Sequence, residues 1–96
     1  PVLLLDEPTS HLDLGNKQRI LSILKDLASK GKTIVFTTHD PNEAAYAADH
    51  LVLIKEGQLI KAGGLHNVLT GPALSSLYDT EVVVDTLKGK KVVVLG

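Results

Sequence analysis

Short apolar runs and one helical stripe organise this chain. Val2 to Leu5 is continuously apolar and stops at Asp6-Glu7-Pro8, which predicts a buried strand delivering two carboxylates at its C-terminal end. Pro8 stops any regular continuation. Across residues 14–30, Ile20, Ile23, Leu24, Leu27 and Ala28 recur at i, i+3, i+4, i+7 and i+8, the stripe of an amphipathic helix. Asp13 is placed to cap its start, and Gly31 suits the left-handed position after its end. Thr33 to Thr38 is β-branched and aromatic, so a second buried strand is expected, ending at Thr38-His39-Asp40. Asp40-Pro41-Asn42-Glu43 then has the grammar of a helix start, with an Asp cap, Pro at N1 and Glu at N3. A short alanine-rich helix to about Asp49 follows.

The second half changes character. Leu51 to Ile54 predicts a third apolar strand, and Glu56-Gly57 a tight turn into Gln58–Ala62. Gly63-Gly64 is expected to break the chain before a short helix near Leu65–Thr70. Gly71-Pro72 opens another helix, to about Asp79, and Glu81–Asp85 with Lys91–Leu95 predicts a hairpin across Lys88-Gly89. Strand–helix–strand–helix–strand is the order of a parallel α/β sheet, here followed by hairpins and short helices. A soft subdivision falls near Gly63-Gly64, giving 1–62 and 63–96.

Composition narrows the class. Leu, Ile and Val fill 32 of 96 positions, enough for a core and too many for a disordered chain. The apolar runs are a few residues long, far below the ~20 needed to cross a bilayer. No basic region followed by an apolar one marks a secretory signal. With no cysteine, disulfides, thiolate metal ligation and thiol catalysis are excluded. A formal net charge of -1 argues against a bulk nucleic-acid footprint.

Asp6 and Glu7 are the chemically informative pair, because ligands of open α/β sheets bind at the carboxyl ends of strands. On an extended backbone adjacent side chains point opposite ways, so the two carboxylates suit different tasks. One can hold Mg²⁺ through water and the other can polarise or deprotonate an attacking water. Taken alone, a bare Asp-Glu after an apolar run is more often a solvated strand end. Gly31-Lys32-Thr33 is not a phosphate loop: the required upstream glycine is Asp26, and a helix ends there where one should begin. His11, His50 and His66 have no metal-ligand spacing. Lys90-Lys91 suits an edge strand kept from aggregation.

Context raises the weight of the carboxylate pair. Leu4-Leu5-Asp6-Glu7-Pro8-Thr9-Ser10-His11-Leu12-Asp13 resembles the Walker B motif and D-loop of ABC-type ATPases. Val35-Phe36-Thr37-Thr38-His39-Asp40, again at a strand end, resembles their H-loop. Order, spacing and local structure agree. The resemblance implies the C-terminal part of a P-loop NTPase (RecA-like) domain, with 1–62 holding the Walker B, D-loop and H-loop core and 63–96 the C-terminal helices and hairpin. It implies ATP and Mg²⁺ as cofactors. Asp6 would be the metal-side and cofactor-binding carboxylate, Glu7 the catalytic base or polariser, and His39 the catalytic histidine at the γ-phosphate. Ser10 and Asp13 would face the nucleotide across the D-loop of a head-to-tail dimer. A histidine beside the γ-phosphate can donate a hydrogen bond and report its presence.

The rest of the chain refines the resemblance. Asp40-Pro41-Asn42-Glu43-Ala44, Ala48-Asp49 and Ile54-Lys55-Glu56-Gly57-Gln58-Leu59-Ile60 look like the importer branch. Gly63 to Thr70, Leu74 to Tyr78 and the closing hairpin resemble metal-chelate importers, whose cargo is an iron–siderophore, haem or cobalamin. The expected protein is an ATPase subunit on the cytoplasmic face of the membrane, peripheral to a transmembrane permease and not bound to nucleic acid. The family's Walker A loop, Q-loop and signature motif precede Walker B and are not in this sequence. The chain also contains no methionine. Pro1 is therefore expected at, or just before, the first residue of the Walker B strand of a longer domain. On this reading the chain alone is inactive, because the phosphate loop that holds the triphosphate is missing, and it is expected to self-associate, swap elements or rearrange, because a neighbouring strand is missing from the sheet. The other readings are a non-transport ABC ATPase, acting in DNA repair or on the ribosome, and a non-catalytic remnant.

Overall fold

Local signals explain where the elements start and stop. In the computed structural model, residues 2–95 are described, so Pro1 and the expectation placed on it lie outside the described residues. The apolar run forms strand β1 (Val2–Leu5), and the stripe forms helix α1 (Leu14–Ser29). Asp13 caps α1, its Oδ1 accepting from Asn16 N at 2.8 Å, and Gly31 adopts φ +88° just past the helix end. Strand β2 (Thr33–Phe36) and helix α2 (Pro41–Ala47) follow. Then come β3 (His50–Lys55), β4 (Gln58–Gly64), α3 (Leu65–Val68), α4 (Gly71–Tyr78), β5 (Val82–Leu87) and β6 (Lys90–Leu95). The chain divides into two compact units between Ala47 and Ala48.

In the first unit, β1 and β2 pair in parallel, Leu3 opposite Ile34 and Leu5 opposite Phe36. Both strands were expected to be buried, and here the structure corrects the sequence reading. Val2, Leu4 and Val35 are 65%, 72% and 52% exposed. The strand period of two explains the division: Leu3, Leu5, Ile34 and Phe36 share the more covered face, and the others share a bare one. The helix stripe is corrected too. Leu21 and Leu24 are buried, whereas Ile23 is exposed, because it lies about 100° around the helix from Leu24. Tyr46 of α2 docks on α1, accepting from Gln18 Nε2 at 2.8 Å beneath the Lys25 ammonium.

In the second unit two antiparallel hairpins, β3–β4 and β5–β6, share a core with α3 and α4. Leu51, Leu53, Val68, Leu69, Leu74 and Val82 are its buried members. Both hairpins turn on two residues with positive φ, Glu56-Gly57 and Lys88-Gly89, as the twist of tight hairpins demands. The chain break expected at Gly63-Gly64 does not occur. Gly63 pairs with Leu51 and Gly64 with His50, so β4 runs straight into α3, and Leu65 N donates to Asp49 O. Gly71 is required by a close approach, since a Cβ there would sit 3.0 Å from Val82 O.

Candidate functional site

The parallel pairing of β1 and β2 brings both strand ends, and the loops that leave them, to the same edge. Thr37 N donates to Leu5 O at 3.1 Å, carrying the pairing one step past β2. The Thr37 hydroxyl then joins the two loops. It donates to Asp6 Oδ1 at 2.6 Å and accepts from Glu7 N at 2.9 Å. Glu7 is not on extended backbone, as the alternation argument assumed. Its φ of +45° is left-handed, and His11 follows at +68°. Such conformations cost about 1–3 kcal/mol in a non-glycine residue and gather where geometry matters.

That turn carries the Glu7 carboxylate toward the second loop. Glu7 Oε1 lies 3.5 Å from His39 Nε2. With side chains 43% and 90% exposed, the pair contributes little to stability, and its value is positional. An open cleft of about 130 Å³ lies here, lined by Glu7, Thr9, Ser10, Lys17, Thr38, His39, Asp40 and Glu43. A carboxylate and an imidazole at one cleft mouth can polarise a water and donate to a developing oxyanion.

Of the residues singled out in the sequence, Glu7, Ser10 and His39 line this cleft, and Asp6 is tied to it through Thr37. Asp13 is not among the lining residues; its carboxylate is engaged at the start of α1. Thr37, Thr9, Lys17 and Glu43 were missed. Their signal was faint: two threonines ending a strand, and a glutamate whose position matched a helix cap.

Comparison with known proteins finds related sequences and a related solved structure. A family model described as "AAA domain, putative AbiEii toxin, Type IV TA system" matches residues 1–45. A hemin import ATP-binding protein of Shewanella denitrificans is 42% identical over 86 residues, covering 86% of this chain and 34% of the relative. An iron(3+)-hydroxamate import ATP-binding protein of Bacillus subtilis is 38% identical over 94 residues, covering 95% of this chain and 35% of the relative. Over most of its length the chain is similar to ABC transporter ATP-binding proteins. A solved structure entitled "An inward-facing conformation of a putative metal-chelate type ABC transporter" superposes with a TM-score of 0.85 at 34% identity. That match covers 99% of this chain and 40% of the other. The α/β arrangement is therefore that of part of an ABC ATPase fold. The chain spans about a third of the length of the curated relatives it matches. Among the described residues, no helix is long and apolar enough to cross a membrane.

Proposed function

We propose that this chain carries the hydrolytic side of the ATP site in the ATP-binding subunit of an ABC importer, and that the importer moves a metal chelate. The observation behind it is the approach of Glu7 and His39, at 3.5 Å, where the parallel strands β1 and β2 end. Glu7 is the base or polariser of the attacking water, and His39 donates to the γ-phosphate. Phosphoryl transfer asks for positioning and charge neutralisation more than covalent chemistry, which two pre-placed polar groups can supply. Ser10 and Asp13 belong to the D-loop facing a second, head-to-tail subunit. The family elements occupy 1–62, and 63–96 supply the C-terminal helices and hairpin.

The donor set suits a nucleotide-borne Mg²⁺ better than a resident metal. Among the described residues, no three His, Cys, Asp or Glu side chains group into a metal site. Mg²⁺ is ordinarily held by one or two carboxylates with waters and substrate phosphates, and Asp6, exposed at the strand end, fits that part. When bound, the ion supplies neutralisation of phosphate charge.

The partners are a second ATP-binding subunit and a transmembrane permease, with the protein peripheral on the cytoplasmic face. The iron-bearing cargoes in the relatives' names support the chelate assignment. The toxin-family match does not favour a non-transport role, because it covers residues 1–45, the β1–α1–β2 part that carries the Walker B-like and H-loop-like segments, and leaves the importer-like second half unmatched. Walker A and signature sequences are not among these 96 residues. Mg·ATP titration of the chain alone therefore gives no saturation at micromolar concentrations, whereas the intact subunit saturates. Micromolar binding by the chain alone would overturn this part of the proposal.

A further inference from the structure

Among the described residues, Thr9 and Glu43 are the buried polar side chains, 3% and 7% exposed. They are bonded to each other: Thr9 Oγ1 donates to Glu43 Oε1 at 2.6 Å. Thr38 Oγ1 donates to the same oxygen at 2.9 Å. The second oxygen, Oε2, lies 3.7 Å from Lys17 Nζ. Thr9 is two residues from Glu7, and Thr38 is next to His39, so one carboxylate oxygen ties together the loops that bear the candidate reacting groups.

A helix-capping role does not account for this. A glutamate at the third position of a helix normally reaches back to the cap residue's own N–H. Here Asp40 N donates to Thr38 Oγ1 at 3.0 Å instead, and Asp40 caps α2 by accepting from Asn42 N at 2.9 Å. The Glu43 carboxylate faces the other way, toward a residue 34 positions earlier. Burying a carboxylate is costly unless its oxygens are satisfied, so the two hydroxyls and the lysine hold the group where it lies.

We propose that Glu43 is a positioning residue: its Oε1, shared by the hydroxyls of Thr9 and Thr38, sets the separation between the loop carrying Asp6 and Glu7 and the loop carrying His39. Its consequence for hydrolysis rests on the roles assigned above to Glu7 and His39; the tie between the loops does not. The Thr37 hydroxyl binds the loops at Asp6 and Glu7, and Glu43 binds them a second time at Thr9 and Thr38.

The test is nuclear magnetic resonance on the intact subunit without nucleotide, so it stands whether or not Glu7 proves hydrolytic. In Glu43→Ala, amide exchange at Ser10 and Leu12 should accelerate at least tenfold. Glu43→Gln keeps an acceptor oxygen and should bring it back to within threefold of the parent. In Thr9→Val, which leaves α2 untouched, the His39 ring and Asp40 amide signals should shift. If Glu43→Ala changes only α2, or if Gln fails where Ala fails, the proposal is overturned. Should Glu43→Ala not fold, Thr9→Val decides: unmoved His39 and Asp40 signals overturn it.

Discussion

The two compact units are held together by different means. The unit from Ala48 onward has an ordinary apolar interior, in which Val68, Leu69 and Leu74 are 0%, 1% and 1% exposed. The unit ending at Ala47 buries Leu21 and Leu24 beside a hydrogen-bonded pair, Thr9 and Glu43, and leaves Val2, Leu4 and Val35 bare. The unit from Ala48 onward closes an apolar core of its own, although Val52, Ile54 and Leu59 on its β3–β4 hairpin are 61%, 61% and 65% exposed. The other leaves a sheet face uncovered and arranges polar groups at the strand ends. That contrast is what a site-bearing part of a larger sheet looks like, because parallel strands are normally covered on both faces.

Substitutions can sharpen the contrast, and the largest effect belongs to the apolar unit. Leu74→Ala should cost about 2–5 kcal/mol by leaving a cavity, read as a lower denaturation midpoint reported by the β3–β4 and β5–β6 signals. A smaller effect should come from the bare face. We expect the chain to self-associate there, and Leu4→Thr to raise the dissociation constant about tenfold or more, since burying a leucine contributes about 1.5–3 kcal/mol. Concentration-dependent sedimentation measures this; a monomer at all concentrations would remove the argument. Smallest is the cap: Asp13→Ala should cost about 1 kcal/mol, seen as faster amide exchange in the first turn of α1.

These expectations also mark what the sequence made legible. The strand at Val2–Leu5, the Asp13 cap, the helix start at Asp40-Pro41 and both positive-φ turns rest on neighbouring residues, and each was visible. What escaped depends on partners far along the chain. Thr37 bonds Asp6 across 31 positions and Thr9 bonds Glu43 across 34, and no local pattern announces either. An apolar run says that a strand tolerates burial, not whether both of its faces are covered. That is why Val2 and Leu4 were expected inside. The turn at Glu7 was hidden for the opposite reason: its left-handed backbone is disfavoured locally and is held by Thr37 from the loop that follows β2. Gly63-Gly64 looked like a break because glycine pairs suit turns, and cross-strand pairing with His50 and Leu51 overrode that tendency.

Glu7 and His39 are proposed as the hydrolytic side of an ATP site. The most direct test of that assignment is ATP turnover by the intact subunit carrying Glu7→Gln, which preserves shape and removes the base. A fall in kcat of about 10²–10⁴-fold is expected, with Mg·ATP still bound. Turnover at the parent rate would contradict it.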